Sequence, residues 1–104
     1  MTEDDAPYWV KVHHSVTGEV IVAACDKGLL GKKIRISEKF ETRVSEDFYM
    51  GRTANWEHIA KLIETATIIN LLGDDIVNAA IEAGIVPEGA SSTIGGVKHV
   101  QLIK

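Results

Sequence analysis

Residues 20–33 read VIVAACDKGLLGKK, an apolar run followed by a polar turn that contains two glycines. The first six residues are apolar at both alternating positions, which is typical of an inner strand buried on both faces of a sheet. Cys25 and Asp26 end this run, and a pair of lysines follows the turn. The stretch therefore predicts a central strand that delivers polar groups to a loop at one end of a sheet.

The length and composition are those of one ordinary globular domain. A chain of 104 residues can bury about two-thirds of the surface that it exposes when unfolded. With 45% hydrophobic and 25% charged residues and a net charge of −4, it is neither a disordered chain nor a general polyanion binder. Residues 1–7 are acidic and have no apolar pattern, so we expect a disordered N-terminus and a single domain over residues 8–104.

The same composition bears on location. No apolar stretch approaches the roughly 20 residues of a membrane span, and one cysteine cannot form an internal disulfide. The first residues are acidic where a secretion signal would be basic and then apolar. We therefore expect a cytoplasmic protein with a reduced thiol and no membrane partner.

Alternating segments surround the central strand. Residues 8–15 alternate apolar and polar side chains and are followed by a Thr-Gly turn, which predicts a hairpin with residues 20–25. Residues 33–37 and 40–44 alternate in the same way, so each predicts a strand with one solvated face.

Three later segments have helical patterns. Residues 45–50 begin with a Ser-Glu-Asp sequence and predict one helical turn that places two aromatic residues in the core. Apolar residues recur every three or four positions in residues 56–66, where Thr53 or Asn55 can cap the helix. Residues 74–83 begin with two aspartates, which favour a helix N-terminus, and continue with two apolar rows.

The remaining segments complete the architecture. Residues 67–72 predict a strand or a buried connection, residues 89–93 a loop, and residues 97–103 a closing strand. Strands come first, helices later and a strand last. This order predicts an α+β fold, a single-domain two-layer sandwich with a mostly antiparallel sheet and two main helices.

Positive charge is concentrated between residues 27 and 43. The basic residues there are Lys27, Lys32, Lys33, Arg35, Lys39 and Arg43, and the only acids are Glu38 and Glu41. Because the other acids lie mainly near the N-terminus and in the second half of the chain, the molecule is expected to have a basic side and an acidic side. The alternative interpretation is a solvated strand face, since lysine and arginine are mostly exposed in any fold.

Several short motifs resemble a known family. Over residues 8–101 the chain resembles the small archaeal family catalogued as domain of unknown function 424. The most specific elements are Cys25-Asp26 followed by Leu29-Leu30-Gly31-Lys32, Asn70 with Gly73, Ala83-Gly84-Ile85, and Gly96 with His99. The resemblance implies a compact α+β domain in an archaeal, intracellular setting, with a contextual association with translation and RNA metabolism. It implies no activity, because the family has no established one.

The chain offers one candidate nucleophile. Cys25 is the only thiol, but a catalytic cysteine needs a cation or histidine that lowers its pKa, and its neighbour Asp26 does the reverse. A small cysteine-dependent enzyme or metal-binding protein that uses Cys25, Asp26 and His99 is therefore the alternative hypothesis. No cofactor and no metal are expected, because there is no paired-cysteine motif and His13 and His14 must point to opposite faces of a strand.

The preferred hypothesis is a non-enzymatic binding or accessory domain that contacts RNA or a protein of the translation machinery. The expected contact residues are Asp26, Lys27, Lys32, Lys33, Arg35 and His99. The GLLG turn at residues 28–31 has the glycine spacing of an RNA-clamping loop, although two inward leucines at a corner explain it equally. A further alternative is a homo-oligomeric structural domain, with a homodimer formed through a sheet edge or the helix faces.

Overall fold

The computed structural model describes residues 6–35 and 39–104. In chain order the elements are β1 (Tyr8–His14), β2 (Val20–Asp26), β3 (Lys33–Arg35), β4 (Glu41–Arg43), α1 (Glu46–Tyr49), β5 (Arg52–Ala54), α2 (Trp56–Thr65), β6 (Ile68–Leu72), α3 (Asp74–Glu82), β7 (Ser92–Ile94) and β8 (Val97–Ile103). A single 3-10 turn, Lys27–Leu29, follows β2. The disorder predicted for residues 1–7 falls mainly on residues 1–5, which lie outside the described ranges, as does Ile36 of a predicted strand.

Six strands form the main sheet in the order β5-β1-β2-β6-β8-β7, and β3 pairs with β4 in a separate hairpin. Neighbouring strands are antiparallel except β2 and β6, which run parallel. The predicted hairpin between β1 and β2 is confirmed, and so is the α+β class with a mostly antiparallel sheet. As predicted, β2 is an inner strand, and its residues Val22 to Cys25 have no solvent exposure.

The two longer helices cover one face of the sheet. Val22 and Ala24 of β2 pack there against the apolar rows of α2 and α3, which include Ile59 and Ile76. Of the two caps predicted for α2, Thr53 and Asn55, the structure has Asn55, whose Oδ1 accepts a hydrogen bond from His58 N at 2.9 Å. The three- and four-residue spacing of the apolar residues decides this layer, because it gives each helix one continuous buried stripe.

The opposite face of the sheet is covered by the segment between β2 and β5. Cys25 and Leu72 from the sheet pack there with Val44 and Tyr49. The predicted aromatic turn is confirmed as α1, in which Tyr49 is buried and its hydroxyl donates a hydrogen bond to Asn70 Oδ1 at 2.6 Å. The sheet is therefore buried on both sides at its centre, which explains why β2 has no polar face.

Two short edge strands were not predicted. The loop prediction for residues 89–93 is wrong at Ser92 and Thr93, which belong to β7 and pair with β8. The turn between these strands is Gly95-Gly96, with φ of 58° and 81°, the backbone that a two-residue hairpin turn of type I′ requires. At the other edge, β5 pairs with β1. Three residues are too few to show an alternating pattern, so only pairing reveals these strands.

Candidate functional site

Asp26 lies at the end of β2 and caps helix α3. Its Oδ2 accepts a hydrogen bond from Asp75 N at 3.1 Å, and its Oδ1 accepts one from Ile76 N at 2.9 Å. Gly73, which precedes α3, has a φ of 127°, and a Cβ there would lie 2.3 Å from Asp26 Cγ. The Asp26 carboxylate thus replaces the N-cap side chain that α3 lacks, and Gly73 leaves room for it.

The environment of Asp26 has opposing effects on its charge. Burial raises the pKa of this carboxyl most strongly, the hydrogen bonds from Asp75 N and Ile76 N lower it, and the charges of Asp75 and Asp74 raise it again. The net result is a pKa above the ordinary value for aspartate. Because both of its carboxylate oxygens accept hydrogen bonds from the N-terminus of α3, Asp26 has a structural role and stabilises the position of this helix.

Cys25 is buried on the other face of the sheet, in the cluster with Val44 and Tyr49. It is 0% exposed. Burial, together with the nearby Asp26 charge, raises the pKa of its thiol to about 12. Since the thiolate is the reactive form, a thiol with this pKa that no solvent reaches is a poor nucleophile at neutral pH.

The structure does not bring Cys25, Asp26 and His99 together. In the strand register Cys25 lies beside Leu72, and Leu72 lies beside His99, so Leu72 separates the two residues on the same face. Two strand spacings place Cys25 and His99 about 10 Å apart. Asp26 follows Cys25 directly, and its carboxylate lies on the helix side of the sheet. The catalytic or metal-binding triad of the alternative hypothesis is therefore not formed.

Two further findings concern metals and membranes. Within residues 6–35 and 39–104, no group of three or more His, Cys, Asp or Glu side chains is placed to hold a metal ion. No helix in these ranges is long and apolar enough to cross a membrane.

Three of the predicted basic residues, Lys33, Arg35 and Arg43, lie on the β3–β4 hairpin. Lys33 pairs directly with Arg43, and Arg35 with Glu41, so these four side chains share the outer face of the hairpin. Arg35 Nη2 lies 3.3 Å from Glu41 Oε1, in an ion pair whose side chains are 66% and 49% exposed. Arg43 Nη1 donates a hydrogen bond to Gly31 O at 3.0 Å. All four residues are exposed.

The turn before the hairpin has a structural role. Leu29 and Leu30 are partly buried against the apolar cluster that contains Cys25, as expected for the corner interpretation of the GLLG turn. Lys32 is exposed and leads into β3, whereas Lys27 is half-buried in the 3-10 turn. Of the six predicted contact residues, Lys32, Lys33 and Arg35 lie together, while Asp26 caps α3 and His99 lies on β8.

Beneath the hairpin lies an open pocket of about 240 Å³, here called the hairpin cavity. Its buried floor includes Val44, Tyr49 and Leu72, and exposed residues at its rim include Thr42 and Arg43. Sequence analysis did not find this cavity, because its lining comes from residues 34 to 99 and no short motif contains them.

His99 forms part of the wall of the hairpin cavity, and Phe48 contributes an aromatic ring to it. Burial lowers the pKa of the half-buried His99 ring, so the neutral imidazole is favoured at physiological pH. The Phe48 ring stacks on His13 with centroids 5.0 Å apart, and it meets the Tyr49 ring edge-on at 4.9 Å. Phe48 is thus fixed in position by aromatic neighbours on two sides.

Comparison with known proteins places the chain in a family. Residues 14–104 match the family described as "Protein of unknown function (DUF424)". The chain belongs to this family. A solved structure described as an uncharacterized conserved protein from Methanopyrus kandleri is 30% identical, with a TM-score of 0.78. That similarity covers 91% of this chain and 89% of the other. No curated protein matches.

The DUF424 match includes the site described above except His13, which stacks on Phe48. Asp26, Gly73, the β3–β4 hairpin and His99 all lie within residues 14–104. Neither the family nor the solved neighbour carries a named activity. The similarity therefore shows the family but no biochemical function.

Proposed function

We propose that this chain is a non-enzymatic binding domain that contacts single-stranded RNA through the outer face of the β3–β4 hairpin. The observation that carries the proposal is the pairing of Lys33 with Arg43 in the strand register. Like charges placed directly opposite each other on an antiparallel pair repel and weaken the pair. Arg43 is held by its hydrogen bond to Gly31 O, but the repulsion between the two cations does not stabilise the hairpin, whereas a row of phosphates would turn that repulsion into attraction.

The neighbouring charges support a net positive face. The ion pair of Arg35 with Glu41 is largely exposed, and such pairs contribute only about 0–1 kcal/mol, so it holds neither side chain tightly. Lys32 adds a further exposed cation immediately before β3. The protein as a whole carries −4, which should repel a polyanion from its other surfaces and confine contact to this face.

An exposed aromatic residue favours RNA over an acidic protein as the ligand. Phe40 directly precedes β4 and is 66% exposed. Proteins that bind single strands combine cations along the backbone with aromatic rings on which bases stack. An acidic surface of a translation-related protein would use the cations but has no comparable use for the ring.

A matched pair of charge reversals tests the proposal. Lys33→Glu changes the hairpin face, and Lys61→Glu changes an exposed residue of α2 on the other side of the sheet. Each changes the net charge by two units. Binding of a labelled mixed-sequence single-stranded RNA is measured by fluorescence anisotropy over a series of salt concentrations.

We expect Lys33→Glu to weaken binding severalfold and Lys61→Glu to leave it near the wild-type value. The slope of log K against log salt should fall by about 0.7 for each phosphate contact that Lys33→Glu removes. Equal affinities of the two variants would refute the hairpin surface. Absence of RNA binding by the wild type, with capture of an acidic translation factor that Lys33→Glu abolishes, would instead identify a protein partner.

A further inference from the structure

The hairpin cavity lies directly under the proposed RNA-binding face, and Arg43 belongs to both. Its side chain lies on the outer face of the β3–β4 hairpin, and the residue also contributes to the rim of the cavity. We infer that the hairpin cavity accepts one unstacked nucleobase of a strand bound to the hairpin. This inference rests on the proposed function and adds the part of the ligand that the site would recognise.

The size of the cavity restricts its occupant. Pockets that enclose drug-sized ligands measure about 300–1,000 Å³. The hairpin cavity, at about 240 Å³, is smaller and suits a single planar ring system rather than a whole nucleotide. The sugar and phosphate of a bound residue would thus stay outside, at the level of the exposed cations.

The interior has the surfaces that a base requires. The floor formed by Val44, Tyr49 and Leu72 is apolar and at most 6% exposed. Phe48 supplies an aromatic wall that is already held by its contacts with His13 and Tyr49. Because these side chains are already held in place, binding of a base would cost little side-chain conformational entropy.

Polar groups near the mouth can contact the edge of a base. The ring of His99 has no hydrogen-bond partner within the described part of the chain, and a neutral imidazole offers one donor and one acceptor. The hydroxyl of Thr42 at the rim offers both functions as well. Single-strand RNA-binding proteins commonly combine stacking with hydrogen bonds to the exposed base edges.

A substitution at the mouth of the cavity tests the inference. Thr42 is exposed and lies on the cavity side of β4, so Thr42→Trp should block the mouth without disturbing the core, and Thr42→Val is the matched control. Two labelled ligands of equal length and charge are compared, a mixed-sequence RNA and an oligomer of abasic ribose phosphate. Thermal unfolding establishes that each variant is folded.

We expect Thr42→Trp to weaken binding of the RNA by about 10-fold, in the range of one lost base stack, and to leave binding of the abasic oligomer unchanged. Thr42→Val loses only the hydroxyl, so it should bind the abasic oligomer like the wild type and lose far less RNA affinity than Thr42→Trp. Should Thr42→Trp not fold, His99→Phe takes its place. It keeps a ring but loses both nitrogens, and should reduce the difference in affinity between RNA and abasic oligomer.

The outcomes separate this inference from the proposed function. If Thr42→Trp binds RNA as tightly as the wild type while Lys33→Glu weakens binding, the cavity assignment is overturned and the hairpin surface stands. Equal wild-type affinities for the RNA and the abasic oligomer overturn the cavity assignment as well. A shift of the NMR signals of the cavity residues on addition of free uridine would not change that conclusion. If the wild type binds neither oligomer, both proposals fail.

Discussion

Replacing Asp26 by alanine should destabilise the protein by about 1–2 kcal/mol, because α3 would lose its cap. The carboxylate accepts hydrogen bonds from Asp75 N and Ile76 N, and the second of these is partly buried. Removing an N-cap side chain costs about 0.5–2 kcal/mol, and a buried donor left without a partner costs about 1–3 kcal/mol. Asp75 N can be hydrated once the carboxylate is gone, which keeps the expected loss below the sum.

Gly73 provides a second test of this prediction, because the stability cost of substituting Gly73 should depend on the Asp26 side chain. A Cβ at position 73 would lie 2.3 Å from Asp26 Cγ, so Gly73→Ala would displace the carboxylate as well as strain a backbone at φ of 127°. In a chain that already carries Asp26→Ala, only the strain remains. The cost of Gly73→Ala should therefore be smaller in that chain, by about the 1–2 kcal/mol assigned to the cap.

Urea unfolding of the wild type, both single variants and the double variant gives the four free energies of this cycle. Asp47→Ala is the control, because Asp47 is an exposed acid in the first turn of a helix whose cap is Ser45. If Asp26→Ala costs no more than Asp47→Ala, or if the effects of Asp26→Ala and Gly73→Ala simply add, the capping role is refuted.

Three further outcomes are expected. Cys25 should react with iodoacetamide only when the protein unfolds, because the thiol is buried and burial raises its pKa to about 12. Alkylation is followed by mass spectrometry. Rapid alkylation of the native protein would contradict the placement of Cys25 in the core. Gly95→Ala should lower the free energy of unfolding more than Gly96→Ala does. A Cβ at position 95 would lie 2.8 Å from Arg35 O, whereas a Cβ at position 96 would meet nothing within 4 Å. Equal losses of stability in urea unfolding would argue against the close approach of Gly95 to Arg35. Folding raises the pKa of the Asp26 carboxyl, so the folded protein binds this proton more tightly than the unfolded chain does. Relative to Asp26→Asn, the protein should therefore lose stability as the pH rises from the ordinary carboxyl pKa through the raised one. Unfolding of both proteins over a pH series would show a difference of the opposite sign if the pKa were lowered.

The parts of the fold that sequence analysis predicted correctly depend on local patterns. The apolar run of β2 identified the centre of the sheet, and the three- and four-residue spacing in α2 identified a helix that covers it. The residues before that spacing limited the cap of α2 to Thr53 or Asn55, and the structure shows that it is Asn55. By contrast, β5 and β7 are defined by pairing with strands far away in the chain, and neither contains enough residues for a pattern.

The candidate site shows the same division. The sequence by itself determined which side chains were available: a cluster of cations in residues 27–43, one cysteine at the end of an apolar strand, and a histidine near the C-terminus. Only the tertiary structure decided where they point. Strand register placed Leu72 between Cys25 and His99, and the parallel pairing of β2 with β6 brought Asp26 to the start of α3. Periodicity specifies the buried face of each element, whereas the neighbours of a side chain depend on packing between segments about fifty residues apart in the chain.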